Sequence, residues 1–228
     1  MGRQAGQGVV ATPSSRPRVL VLAGVNGAGK SSVAGEAIRA TGGEFFNPDE
    51  AARRIIAANP GTDVAVANAA AWAVGRRQLE RAIAEHRNYA FETTLGGTTI
   101  TRLLEEALRG GIEVHVRYVG LEGPGLHIAR VRARVARGGH DIPEAKIRER
   151  YDQSRRNLIR LLPRLMSLSV FDNSADAPPE RHTPPRPRLL LQMADGIVLE
   201  TASLQSMPIW AKPIVMAALG EQRRTPSP

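Results

Sequence analysis

RVLVLAGVNGAGKSS, residues 18–32, decides the fold. Its first six residues are a Val- and Leu-rich run between Pro17 and Gly24, the pattern of a strand buried on both faces in a parallel sheet. The next eight, GVNGAGKS, fit G-x-x-x-x-G-K-[ST] with a strand before them and helical composition after, the context that this phosphate-binding loop (P-loop) requires. The physical demand behind the motif is a set of closely spaced backbone N–H groups around a triphosphate. Gly24, Gly27 and Gly29 permit backbone conformations that a side chain forbids, and the N-terminus of the following helix adds its positive dipole end. Gly24, Asn26, Gly27, Ala28, Gly29, Lys30, Ser31 and Ser32 are therefore the candidate nucleotide-binding residues. Lys30 is expected to reach the β- and γ-phosphates of ATP or GTP, and Ser31 to ligate Mg²⁺.

Outward from this loop, short apolar runs alternate with helical stretches. Strands are expected at residues 44–47, 89–93, 113–121 and 169–173, and helices at 32–40, 50–58, 62–86 and 99–109. That alternation predicts an α/β fold, a P-loop NTPase-type parallel sheet with helices on both faces. Two further helices flank GGHDIP, residues 138–143, and form a basic helical lid at about 125–142 and its continuation to 165. The expected organisation is a disordered tail at 1–17, a kinase-like core at 18–174, a linker at 175–188 containing five prolines, a C-terminal hairpin and helix at 189–220, and a polar tail at 221–228. Asp195 and Gly196 mark the hairpin turn. Ile209 and Trp210 either cover the core or meet a partner.

Composition removes several classes. With 228 residues the chain suits one compact domain with tails, and without cysteine it has no disulfide, thiolate zinc site or cysteine nucleophile. No run is long enough to span a membrane, and the N-terminus has no apolar signal region, so a cytoplasmic location is expected. Aromatic residues make up only 4%, too few for an extended base-stacking surface on single-stranded nucleic acid. The net charge of +9 is concentrated: between Leu126 and Arg164 eleven Lys and Arg face four acids. Such a stretch attracts phosphate, or is a solvated helix face.

The carboxylates and arginines narrow the chemistry. Asp49, in FFNPDE, falls just past the second strand, and Glu92, in FETT beside Thr93 and Thr94, falls at the end of the third, both on the rim where α/β folds bind ligands. A carboxylate facing the γ-phosphate takes the proton from an acceptor hydroxyl. Asp49 is a candidate general base, or only the N-cap of the next helix; Glu92 is a substrate contact, a metal or water ligand, or a partner for a lid arginine. Arg130, Arg134 and Arg137 share one helical face, and Arg134 and Arg137 are the candidate catalytic arginines that neutralise charge on the transferred phosphoryl group. His140 either contacts acceptor or phosphate, or caps the following helix.

GVNGAGKSS, FFNPDEAA, FETTLGG, EVHVRYVGL, ARVRARVARGGHDIPEAKIRERYDQSRRNL and VFDNS, in order from about Val19 to Ser174, together resemble the zeta toxin-type kinases. The resemblance implies phosphoryl transfer from ATP or GTP to a hydroxyl of a small acceptor, the 3′-hydroxyl of UDP-N-acetylglucosamine in the characterised toxins, and an antitoxin protein as a partner. It implies that Lys30 and Ser31 bind nucleotide and Mg²⁺, that Asp49 is the general base, that Glu92 helps bind the sugar nucleotide, and that a lid arginine at or near Arg134 stabilises the phosphates. The chain departs from the family at His140, where the toxins carry a second lid arginine, and at Asn47, where they carry another carboxylate. The competing classes are a polynucleotide kinase or other nucleic-acid-handling protein, which the charge permits, and a noncatalytic nucleotide-dependent switch or toxin–antitoxin interaction protein.

Overall fold

The computed structural model describes residues 16–30, 45–175 and 186–223. Ser31, Ser32 and the helix expected at 32–40 lie outside the described residues, as do most of the N-terminal tail, most of the Pro-rich linker and the last five residues.

Among the described residues, seven strands form one sheet in the order β2-β3-β1-β4-β5-β6-β7. β1 (Arg18–Ala23) lies between β3 (Tyr89–Thr93) and β4 (Glu113–Gly120), parallel to both. β2 (Phe45–Phe46) pairs parallel with β3, and β5 (Ser167–Asp172) parallel with β4. β6 (Arg188–Ala194) and β7 (Ile197–Thr201) continue the same sheet antiparallel. Their two-residue connection, Asp195 and Gly196, has φ of 50° and 74°, the doubly left-handed geometry of a type I′ hairpin. The α/β fold with a largely parallel sheet and a C-terminal hairpin is thus as the sequence predicts, with element ends shifted by a few residues. The second strand is only two residues long, and the fifth starts at Ser167 rather than at 169.

Alternation along β1 explains the layering. Val19, Val21 and Ala23 join the main core, which contains Leu79, Leu103, Leu104, Leu158 and Leu161, while Leu22, with Leu20 beside it, packs with Ala90, Val119 and Leu121 on the other face. The main core is covered by α2 (Val64–Ala84), α3 (Thr98–Arg109), α5 (Glu144–Leu161) and α6 (Lys212–Gln222). Trp210, just before α6, is buried against Gly120, where an added Cβ would lie 2.4 Å from the indole, and its Nε1 donates to Asp172 Oδ1 at 3.2 Å. Of the two residues left open by the sequence, Trp210 serves the core and Ile209 stays 76% exposed.

Four details of this architecture position the site. The carboxyl ends of β1, β2, β3 and β5 open on one rim. α1 (Pro48–Ala58) and α2 pack together through Ala52, Ala67 and Ala71. Gly75 lets α2 press against Phe46 of β2, since a Cβ there would meet the ring at 2.4 Å. Beyond β4, α4 (Gly123–Val135) and α5 pack on each other through Ile128, Val131 and Ile147 and carry the basic stretch across the same rim.

Candidate active site

The loop after β1 bends as the motif demands. Gly24, Gly27 and Gly29 have φ of 144°, 82° and 82°, and at Gly27 a side chain would also collide with the His127 carbonyl oxygen at 2.7 Å. The loop is held from outside. Gly24 N donates to Thr93 O at 3.2 Å, and Asn173 Nδ2, just past β5, donates to Ala28 O at 2.9 Å. Asn26 is gripped twice: its backbone oxygen meets His127 Nδ1 at 2.8 Å, and its side-chain oxygen accepts from Arg150 at 2.8 Å. Burial pushes the His127 imidazole down to about 4, so the ring is neutral at pH 7 and its Nδ1–H is the donor to Asn26. Burial also lowers the Arg150 guanidinium, against the pull of Glu149 and Asp49.

Lys30 is buried, its Nζ 3.3 Å from Glu92 Oε1 and 3.5 Å from Val25 O. Glu92 Oε2 in turn accepts from Asn47 Nδ2 at 3.1 Å. Glu92 therefore partners the loop lysine, and no ion pair between it and a lid arginine occurs among the described residues. Asn47 has a second task. Its Oδ1 accepts from the backbone N–H of Asp49 at 2.8 Å and of Glu50 at 3.2 Å, so the N-cap of α1 is Asn47, with Pro48 in the first helical turn. Capping is thus done two residues earlier, and the Asp49 carboxylate is left to face the cleft.

Across that cleft, Arg134 donates to Asp49 Oδ2 at 3.2 Å and to the His140 carbonyl at 3.1 Å, while His140 Nε2 lies 3.7 Å from Asp49 Oδ1. His140 does not cap α5, whose N-terminal residue Pro143 makes no side-chain cap. Arg137 borders the cleft but turns its Nε back to Ala133 O at 3.1 Å. Thr93 and Thr94 line it too; their hydroxyls accept from the backbone N–H of Leu95 and Gly96 and shape the FETTLGG loop. That loop is anchored from α5 by Ser154, which donates to Thr94 O at 2.7 Å, and by Asn157, which donates to Leu95 O and Gly97 O.

Lys30, Asp49, Glu92, Arg134, His140 and Arg150 thus converge on one cleft of ≈1420 Å³. That is more than one small ligand needs and enough for two side by side. Arg150 and His127 are the site residues that the sequence reading missed. A signal for Arg150 was present: it sits among Ile147, Tyr151, Ser154 and Asn157 on the inward side of α5, where an unpaired charge is costly unless it has work to do. His127 falls next to Ile128 on the buried face of α4 and reads there as packing.

Against known families, residues 5–176 match the Zeta toxin family. The chain belongs to it. An uncharacterised protein of Haemophilus influenzae is 31% identical over 137 residues, 59% of this chain and 92% of that protein. Among solved structures, the AvrRxo1-ORF1:-ORF2 complex with ATP superposes over 89% of this chain with a TM-score of 0.63 at 14% identity, and this chain spans only 64% of that one. The PezAT chromosomal toxin-antitoxin system of Streptococcus pneumoniae aligns over 95% of this chain and 90% of that one, with a TM-score of 0.51 at 12% identity. At those identities the superpositions establish the fold, and the family match carries the kinship.

Proposed function

We propose that this Zeta toxin family protein is a phosphotransferase that moves the γ-phosphoryl group of ATP or GTP to a hydroxyl of a small acceptor, the leading candidate being the 3′-hydroxyl of UDP-N-acetylglucosamine. The observation that carries this reading is the face-to-face placement, in one cleft, of a buried P-loop lysine and of an aspartate released from helix capping and held by a lid arginine.

Each residue then has a defined task. The P-loop N–H groups and Lys30 hold the donor phosphates, and Lys30 exchanges its Glu92 contact for phosphate oxygens. Asp49 accepts the proton as the acceptor oxygen attacks the γ-phosphorus, the bond to the bridging oxygen breaks, and the nucleoside diphosphate leaves with that oxygen. Arg134 and Arg150 approach from the lid side, where they neutralise charge on the phosphoryl oxygens. Glu92, Thr93, Thr94 and His140 border the acceptor. The residues fit a magnesium nucleotide: the glycine-bent loop suits a triphosphate, and a rim with two carboxylates suits Mg²⁺, which needs few protein ligands beside phosphates and water. Ser31, outside the described residues, is the ligand expected from the motif, and the ion supplies charge neutralisation of the β- and γ-phosphates.

A nucleic-acid partner is disfavoured because part of the basic stretch is answered within the protein. Arg132 pairs with Glu144, Lys146 with Glu149, Arg155 with Asp152 and Arg160 with Glu105. The likeness to toxin–antitoxin assemblies supports an antitoxin protein as a partner. Among the described residues no helix is long and apolar enough to cross a membrane. The test is incubation of the purified protein with γ-labelled ATP or GTP, Mg²⁺ and a panel of sugar nucleotides, nucleosides and oligonucleotides, read by mass. A phosphorylated small acceptor is expected; label only on oligonucleotides would reverse the assignment.

A further inference from the structure

Away from the cleft, one face of the sheet stays uncovered at β4 to β7. Along these strands Val116, Val170, Met193 and Val198 point into the main core, and the residues that alternate with them point to the opposite face. Phe171, Leu189, Ile197 and Leu199 belong to none of the apolar clusters, and Ile197 and Leu199 are 50% and 61% exposed. The register sets Phe171 beside Leu189. Next to that pair a polar row crosses four strands, from Arg117 on β4 through Ser169 on β5 and Gln192 on β6 to Glu200 on β7. Arg117 and Glu200 are exposed, and among the described residues neither side chain has a hydrogen bond or ion pair. The hairpin that completes this face lies outside the residues 5–176 that match the family.

We propose that this face binds a second copy of the chain, sheet against sheet, about a two-fold axis that runs between the two sheets along the strands and passes between β5 and β6. The charge pattern identifies the occupant. β4 and β7 lie equally far on either side of that axis, so the rotation sets Arg117 against Glu200 of the second copy and Glu200 against its Arg117. The same rotation sets Phe171 on Leu189 of the second copy and Ser169 opposite its Gln192. A patch that is complementary to itself is what an isologous contact requires, and a face built for a partner of another sequence needs no such internal symmetry. Packed sheets lie about 10 Å apart, a gap that arginine and glutamate side chains reaching from both sides close. Ile197 and Leu199, at the flank of the patch, lose their exposure to water. Edge-to-edge pairing through β7 is the less suitable contact: the strand is bulged at Leu199, and Val198 N already donates to Gln222 Oε1 at 3.2 Å. Because the axis follows the strands, both clefts open at the same end of the dimer.

The experiment is sedimentation equilibrium of the full-length protein from ~1 to ~200 µM, where a reversible monomer–dimer equilibrium with a roughly micromolar Kd is expected of a small interface with a modest apolar centre. Arg117→Glu and Glu200→Arg, made separately, each set like charges face to face at both ends of the contact and should weaken dimerisation by about tenfold or more. Mixed in equal amounts, the two variants bring every altered residue against its opposite charge, so a heterodimer of near wild-type strength should form. Leu199→Asp should weaken the dimer of the otherwise unaltered chain by about tenfold as well. Thermal melting at the wild-type temperature shows that each variant is folded. The recovery on mixing is the decisive readout, because a fault in the fold of either variant would not be cured by the other. A chain that stays monomeric throughout the range, single variants that associate like wild type, or a mixture that remains monomeric would each overturn the proposal.

Discussion

On the donor side of the cleft, three glycines with φ of 144°, 82° and 82° bend the main chain into a cradle, and Thr93, Asn173, His127 and Arg150 brace it from four other elements. The facing side, running from Asp49 through Asn68 to Trp72 and Arg76, is made of side chains on α1 and α2. A backbone cradle tolerates few residues, because the φ angles exclude most of them, and it suits the part of the substrate that never varies, the phosphate chain. A helix face accepts any side chain that keeps its apolar spacing, and so it suits the part that distinguishes one acceptor from another.

If that division is real, substitutions on the two sides separate donor binding from transfer. The largest effect is expected at Asp49→Asn, which preserves shape and removes the base: single-turnover transfer should fall by roughly 10² to 10⁴ with ATP affinity within about twofold of wild type. Wild-type transfer by this variant would remove Asp49 from the mechanism. Next, Arg134→Ala should slow transfer by roughly 10² to 10³, whereas Arg137→Ala should change it by less than about threefold, because Arg137 is turned onto its own helix. Equal rates for the two variants would show that the Asp49–Arg134 pair is not part of the reacting arrangement. On the donor side, Lys30→Ala should weaken magnesium-ATP roughly ten- to a hundredfold by calorimetry, and unchanged affinity would break the cradle assignment.

The smallest expected effect is on stability. The folded-state value of His127 lies near 4 against an ordinary 6.5, so the unfolded chain takes up the proton first as pH falls. Stability is full above about pH 6.5 and is lost progressively down to about pH 4, by about 2 kcal/mol between pH 7 and pH 5. Burial lowers His115 as well, so its contribution has the same sign. The check is therefore a difference between denaturant melts of wild type and His127→Phe at the two pH values. The Phe variant keeps a ring against Tyr151 and should lose the His127 share of the dependence. An identical pH dependence in both would show that the ring nitrogen is not what senses the medium.

The donor side was legible in the sequence because each of its demands leaves a mark on residue type. Glycines appear where φ is positive, lysine follows at fixed spacing, and an apolar strand precedes. Asp49 was legible as a position but not as a role, since an aspartate just before a helix reads equally as a cap. The geometry, with Asn47 Oδ1 on two helical N–H groups, removes the cap reading and leaves the base as the proposal. Arg134 and Arg137 were indistinguishable on a helical wheel; what separates them is that α4 ends at Val135, so one faces Asp49 and the other lies past the last regular turn. Trp72 falls inside the helix expected at 62–86, at helical spacing from Leu79 and Ile83. Spacing does not reveal that Trp72 lies off the packing face, which is supplied by Ala67, Ala71, Leu79 and Ala82.

The double grip on Asn26 has a mechanical consequence. Its carbonyl is tied to α4 through His127 and its side chain to α5 through Arg150, so this single loop residue is the junction of three elements. A nucleotide that reshapes the loop must drag or break one of these ties, and either event is transmitted to the helix that carries Arg134. The loop and the Asp49–Arg134 pair, which is already formed in this structure, are therefore joined through α4, so that strain placed on Asn26 is felt at that pair.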